Sequence, residues 1–299
     1  MYLDKFHETT EHFAPANVPD LAALVAAPLN QAAGRRIEPD WTEPRPVEFL
    51  DLQFTRISMV DAIEAIVARP PSAPFSYIVT PNVDHVVRLQ RRRSDLWPAY
   101  RGAWMTLCDS RILARMANAV GRDLPVVTGS DLTAALFEQR ICTDDRIAVL
   151  GGTEDMVSRI TQRFNLRDVR HYNPPMGFIR DAREVAEAVR FLVEAKARYT
   201  FLAVGSPQQE IIARRVSRTA CASGVGFCVG AGLEFLTGDQ ERAPRVVQQM
   251  SLEWLYRLSR DPQRLWRRYL IEGPQIFRIH QTWRRMSVSL PGSAGRLVP

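Results

Sequence analysis

From Val47 onward the chain alternates short apolar runs with longer amphipathic ones. "VEFLDLQF" precedes "SMVDAIEAIVAR", "SYIVT" precedes "VDHVVRLQRRR", and "WMTLC" precedes "RILARMANAVG". Short runs rich in β-branched and aromatic residues predict strands, while apolar positions at i, i+3 and i+4 predict helices. The pattern continues through "RIAVLGG" and a helix, "RHYNPP", the long "DAREVAEAVRFLVEAKAR", "TFLAVGSP" with a helix from Gln208, and "GVGFCVG". Strand and helix in steady succession predict an α/β fold whose mostly parallel sheet is covered by helices.

The pattern also sets boundaries. Residues 1–46 hold prolines at 15, 19, 28, 39, 44 and 46 and read as a loosely packed extension with one short helix near 19–27. A core is expected over 47–250, a helical appendage over 251–285, and a disordered tail over 286–299. In the appendage, Asp261 and Pro262 form an N-cap and N1 pair, so one helix ends near Leu258 and the next starts at Pro262. In "PQIFRIHQTWRRM", Ile276, Ile279 and Trp283 share one face, a pattern suited to an interface.

At 299 residues and 46% hydrophobic content the chain can bury a sizeable core, which excludes disorder throughout. The last fifty residues carry nine arginines against Glu253, Asp261 and Glu272, a local surplus equal to the whole formal net charge of +6. The chain's only lysines are Lys5 and Lys196, so its cations are arginines, which suit bidentate phosphate binding; a GC-rich genome gives the same bias. Cys108, Cys142, Cys221 and Cys228 show no C-x-x-C and no metal-ligand spacing, as expected of mostly buried thiols in a reducing compartment. "LAALVAAP" from Leu21 is too short to span a bilayer and lacks a basic leader, so membrane contact is expected to be peripheral.

In parallel sheets ligands sit beyond the carboxyl ends of the strands, and four strand-end turns carry unusual chemistry. In "CDSR" (108–111), Asp109 can accept a proton from a hydroxyl or cap the helix that starts at Arg111. In "TPN" (80–82), Thr80 and Asn82 can orient sugar hydroxyls or simply form the turn; Asp84 and His85 read as first-turn helix residues and are set aside. "GSPQQE" (205–210) puts Gln209 at a helix mouth that favours anions, with Glu210 in the common role of first-turn stabiliser. "VGAGLEF" (229–235) has Gly230 and Gly232 but Phe235 where a third glycine belongs, which argues against a dinucleotide fingerprint. No phosphate-binding P-loop motif occurs either.

These motifs, in this order, resemble the WecG/TagA/CpsF family of bacterial glycosyltransferases. The likeness runs from about Val47 to Tyr269 through "TPN", "LCDSR", "VTGSDL" (127–132), "AVLGG" (148–152), "AVGSPQQE" (203–210), "GDQERAP" (238–244) and "LEWLYRLSRDPQRLWRRYL" (252–270). It implies a Rossmann-like core with a C-terminal appendage that completes the site. It implies also an inverting, metal-independent, cofactor-free transfer of a sugar from a UDP-sugar donor to a polyprenyl-diphosphate-linked saccharide, at the cytoplasmic face of the membrane and toward exopolysaccharide or other surface polysaccharide. By the same resemblance Asp109 is the base, Thr80, Asn82 and Gln209 contact substrate, and Arg257, Arg264 and Arg267 reach the diphosphate. Glu234, standing where an aspartate is frequent, bears on donor choice. Ser110 stands where the family usually has glycine, so its loop is expected to need other backbone angles.

The appendage is expected to act as a mobile lid, with Trp254, Trp266, Tyr269 and Trp283 at an anionic membrane surface, and removing 251–299 is expected to leave a folded core. Rival readings are a basic nucleic-acid binder and a homo-oligomerisation arm; the resemblance argues against nucleic acid and leaves a homo-oligomer open. The seventeen aspartates include no D-x-D pair, a usual way of holding a divalent metal against a diphosphate. Sugar transfer is therefore expected to survive EDTA, measured with and without added magnesium or manganese; loss by chelation with rescue by either ion is the contrary result.

Overall fold

The computed structural model describes residues 46–238 and 253–288, except the side chains at 253, 257, 264, 287 and 288. The extension before Pro46, the "GDQERAP" motif beyond Gly238 and the tail beyond 288 lie outside the described residues.

"VEFLDLQF" is a hairpin, where the sequence pattern predicted one strand. β1 (Pro46–Phe49) and β2 (Leu52–Thr55) pair antiparallel around Leu50 and Asp51, both left-handed at φ 53° and 62°. A two-residue turn of that hand matches the twist of its strands, and Asn-Gly usually supplies it, so Leu-Asp carried no turn signal. Leu50 is fully buried, which offsets the cost of a branched side chain at positive φ.

The main sheet holds β3 (Ser76–Val79), β4 (Met105–Thr106), β5 (Ile147–Leu150), β6 (Val169–Tyr172), β7 (Tyr199–Leu202) and β8 (Val225–Cys228). Their order is β4-β3-β8-β7-β5-β6, with every neighbouring pair parallel. All four residues are buried in each of β5, β7 and β8, which is why those segments read as continuous apolar runs. One face is covered by α1 (Met59–Ala68), α5 (Gly129–Gln139) and α6 (Glu154–Arg163), through Ile66, Leu132, Leu136 and Ile160. The other is covered by α2 (Val83–Arg91), α4 (Arg111–Asn118), α7 (Ala182–Ala195) and α8 (Gln208–Ser217), through Val86, Leu113, Leu192 and Ile212. Short helices α3 (Trp97–Arg101) and α9 (Glu234–Thr237) follow α2 and β8. The arrangement is Rossmann-like. Side chains of Ser58, Asn82, Ser110, Thr128, Thr153 and Asp181 cap their helices by accepting first-turn N–H groups, so local sequence fixes where helices begin.

The C-terminal arm comprises α10 (Glu253–Arg260), α11 (Pro262–Trp266), a π-helical segment (Arg267–Glu272) and α12 (Gln275–Val288). Pro262 opens α11 as expected, but α12 runs to Val288, past the expected tail boundary at 286. The interface predicted for Ile276, Ile279 and Trp283 is internal. They are 1%, 6% and 8% exposed, they join the core cluster with Leu89 and Leu113, and Trp283 sits edge-on to Phe49 with ring centroids 5.3 Å apart. Trp283 is therefore no membrane anchor, and removing 251–299 would strip one face of the core. Among the described residues no helix is long and apolar enough to cross a membrane. Trp283→Ala is expected to lower unfolding stability by about 3–5 kcal/mol, the usual range for truncating a buried aromatic, measured by urea denaturation. A loss under about 1 kcal/mol would mean that α12 is a detachable lid.

Candidate active site

In open α/β sheets ligands bind outside the carboxyl ends of the strands, and β4, β3, β8 and β7 lie side by side in this sheet. There the turns after β3, β4, β7 and β8 line a polar cleft of about 420 Å³. Thr80, Asn82, Asp109 and Gln209, four of the residues singled out in the sequence, all line it.

Thr80 is buried and donates from Oγ1 to the Cys228 carbonyl at 3.3 Å, stitching the end of β3 to that of β8. A Cβ on Gly129 would lie 2.9 Å from that hydroxyl, so only glycine lets α5 start so close to Thr80. Asn82 caps α2, its Oδ1 accepting from the N–H groups of Asp84 (3.1 Å) and His85 (3.3 Å).

Asp109 is not the cap of α4. Ser110 is, with Oγ accepting from Leu113 N–H at 3.2 Å, while the Asp109 N–H donates to the Pro81 carbonyl at 3.1 Å and ties two strand-end turns together. Ser110 lies at φ −160° and ψ 115°, extended backbone that any residue adopts, so the loop has no need of glycine.

Gln209 is 2% exposed, and both ends of its amide are engaged within the protein. Oε1 accepts from Gly230 N–H at 2.9 Å and Nε2 donates to Glu210 Oε1 at 2.9 Å. It braces the Gly230 turn, whose φ of +53° glycine tolerates. Glu210, expected as a first-turn stabiliser, is fully buried; burial raises its carboxyl pKa against the opposing pull of the Gln209 hydrogen bond. Pro207 precedes α8 with no side-chain cap, and in the first turn the Gln209 N–H donates to the Gly205 carbonyl at 3.0 Å.

Two residues set aside in the sequence line this cleft or its neighbour. Asp84 accepts a hydrogen bond from Arg88 Nη2 and lies 3.4 Å from Arg268 Nη2 of the π-helical segment. Burial alone would raise the Asp84 pKa, but Arg268 and then Arg88 outweigh it and hold the carboxyl low. Burial, reinforced by Arg88, pushes His85 down to about 3, so its imidazole is neutral. The Asp84/Arg88 i,i+4 spacing was visible in "DHVVR"; the partner from the arm was not.

Glu234 and Arg267 do not join this group. Glu234 is exposed at the start of α9, and Arg267 is exposed with Nε 3.6 Å from Glu272 Oε1; neither lines the cleft. The side chains of Arg257 and Arg264 lie outside the described residues. Cys108 and Cys228 are buried as expected, whereas Cys142 and Cys221 are exposed. Burial pushes the Cys108 thiol up to about 12, which makes it a poor nucleophile.

A second cleft, also about 420 Å³, opens between core and arm. Its walls include Val83, Ile112, Trp254, Tyr269, Ile276 and Phe277, and it shares Asn82, Asp109, Ser110, Arg111 and Arg268 with the first. Asp109 thus stands where a polar cleft meets an apolar one. A carboxylate so placed can take a proton from a hydroxyl entering from either side.

A family model described as "Glycosyl transferase WecG/TagA/CpsF family" matches residues 47–289. A curated relative from Bacillus spizizenii, named N-acetylglucosaminyldiphosphoundecaprenol N-acetyl-beta-D-mannosaminyltransferase, is 24% identical over 229 residues, covering 75% of this chain and 84% of its own length.

The cap geometry sets a test at Ser110. Ser110→Ala is expected to cost about 1 kcal/mol of stability and Ser110→Gly only a few tenths, read from thermal or urea unfolding. Equal losses would mean that Ser110 holds the loop by something other than capping.

Proposed function

The chain belongs to the WecG/TagA/CpsF family of glycosyl transferases, and from that premise we propose that it moves a sugar from a UDP-sugar donor to a polyprenyl-diphosphate-linked saccharide. The transfer inverts the anomeric centre and needs no metal. The observation that carries this reading is Asp109 at the junction of the two clefts. The polar cleft, with hydroxyls, amides and arginine side chains in its lining, suits a nucleotide diphosphate. The apolar cleft suits the lipid-proximal part of the acceptor, which by likeness to the Bacillus relative carries N-acetylglucosamine on the diphosphate.

In this mechanism the acceptor hydroxyl gives its proton to Asp109 as its oxygen attacks the anomeric carbon. The bond from that carbon to the UDP oxygen breaks on the opposite face, so one displacement turns an α-linked donor into a β-linked product. Arginines of the arm stabilise the charge that grows on the departing diphosphate. Exclusion of water beneath the arm strengthens those interactions.

The acceptor's lipid supports a peripheral position on the inner face of the membrane. On the arm Leu255, Trp266, Leu270, Ile271 and Phe277 are each 47–60% exposed, and Arg267, Arg278 and Arg285 lie on the same segment. Apolar side chains with interspersed cations suit an anionic headgroup layer, where each cation near the surface contributes about 1 kcal/mol.

The test is a panel of UDP-sugars with a polyprenyl-diphosphate N-acetylglucosamine acceptor, read by mass spectrometry. One UDP-sugar is expected to extend the acceptor by a single residue; no transfer from any would sink the reading. Asp109→Asn is expected to keep UDP binding and lose about 10²- to 10⁴-fold in turnover. Near-normal turnover in that variant would remove Asp109 from the chemistry.

A further inference from the structure

We propose, on the premise of a UDP-linked donor, that Asp84 is a positioning residue that yokes Arg88 of the core to Arg268 of the arm. The two guanidiniums together then receive the donor's diphosphate. The juxtaposition is specific: one carboxylate oxygen of Asp84 accepts from Arg88 and faces Arg268 at 3.4 Å, and both arginines line the polar cleft.

Two cations share one anion here, so the trio of Arg88, Arg268 and Asp84 carries a net positive charge. Each guanidinium has five N–H donors in a fixed fork. Arg88 commits Nη2 to Asp84 and Nη1 to Ser206 Oγ at 2.9 Å, the residue just before Pro207 and the start of α8. The remaining N–H donors of the two guanidiniums border the same cleft, where an anion gains from both. A diphosphate, with charge on two phosphorus centres, suits a pair of forks better than a monophosphate does.

Arg88 belongs to α2, which is packed on the sheet, whereas Arg268 arrives with the arm. Among the described residues, Asp84 makes the more enclosed of the two ion pairs that fasten the π-helical segment to the α2 region. The other, Arg92 Nη1 to Glu272 Oε1 at 2.8 Å, sits at the rim with the Arg92 side chain 51% exposed, and exposed pairs hold weakly. The diphosphate site is complete only while the arm is docked. By linkage, a ligand that bridges both arginines holds the arm down, and arm docking tightens the ligand by the same factor.

Isothermal titration of the full chain with UDP, UMP and uridine separates this from its premise. The wild-type chain is expected to bind UDP best. R88A and R268A should each weaken UDP about ten- to a hundredfold while leaving uridine unchanged, with R268K between them and wild type. Circular dichroism melts report folding, and R268K, which keeps the cation on the arm, decides the matter if R88A is unfolded.

D84N gives an opposite-sign control. A carboxylate that only neutralises charge would make UDP bind more tightly once removed. A yoke makes it bind more weakly and leaves the arm cleavable by protease in the absence of ligand. Folded R88A and R268A with wild-type UDP affinity, or parallel loss of UDP and uridine, would overturn the cation pair. Tighter UDP binding by D84N would overturn the yoke. A wild-type chain that binds neither UDP nor uridine would refute the donor reading and this inference with it.

Discussion

Everything functional here depends on one constraint: the strands of the main sheet are parallel, so every carboxyl end opens on the same edge. Parallel pairing forces a helical crossover between strands and buries both sheet faces. Polar residues that must meet solvent or ligand are thereby confined to the strand-end turns. Thr80, Asp109, Ser206 and Gly230 follow four different strands and are brought together because those strands are neighbours or near neighbours in the sheet. Hydrogen bonds between turns then lock the edge, from Thr80 to Cys228, Asp109 to Pro81 and Gly230 to Gln209.

The C-terminal arm makes use of that edge and also belongs to the body of the protein. Its α12 buries Ile276, Ile279 and Trp283 against the core and the β1–β2 hairpin, while its π-helical segment carries Tyr269, Leu270 and Arg268 over the two clefts. Any closing motion therefore has to leave α12 seated and act through α10, α11 and the π-helical segment. The exposed apolar side chains on that part are the ones the proposed function sets toward a lipid-linked acceptor.

Much of the architecture was legible because burial on both faces turns strands into continuous apolar runs. The hairpin was hidden, since Leu50-Asp51 is a turn sustained by burial and carries none of the usual turn residues. At "CDSR" two neighbouring residues could cap α4, and only the backbone shows that Ser110 does so, which separates Asp109 from that role. The apolar face of α12 was read correctly as a stripe, but periodicity cannot say what covers a stripe, and it proved to be the core. Asp84 was passed over because its ion pair with Arg268 joins it to a partner far along the chain that no local spacing reveals. Glu234 and Arg267 show the converse: a motif position carried over from a family does not guarantee a place in the cleft.

The central claim is that the strand-end crevice beneath the arm is where the nucleotide binds and that binding fastens the arm. Amide hydrogen exchange of the full chain, with and without saturating UDP, tests it most directly. The account predicts slower exchange with UDP at 80–85, 205–211 and 229–235 together with 267–277 of the arm, and little change on the far edge around β6. Protection confined to other loops, or protection of the crevice with the arm exchanging as before, would contradict it.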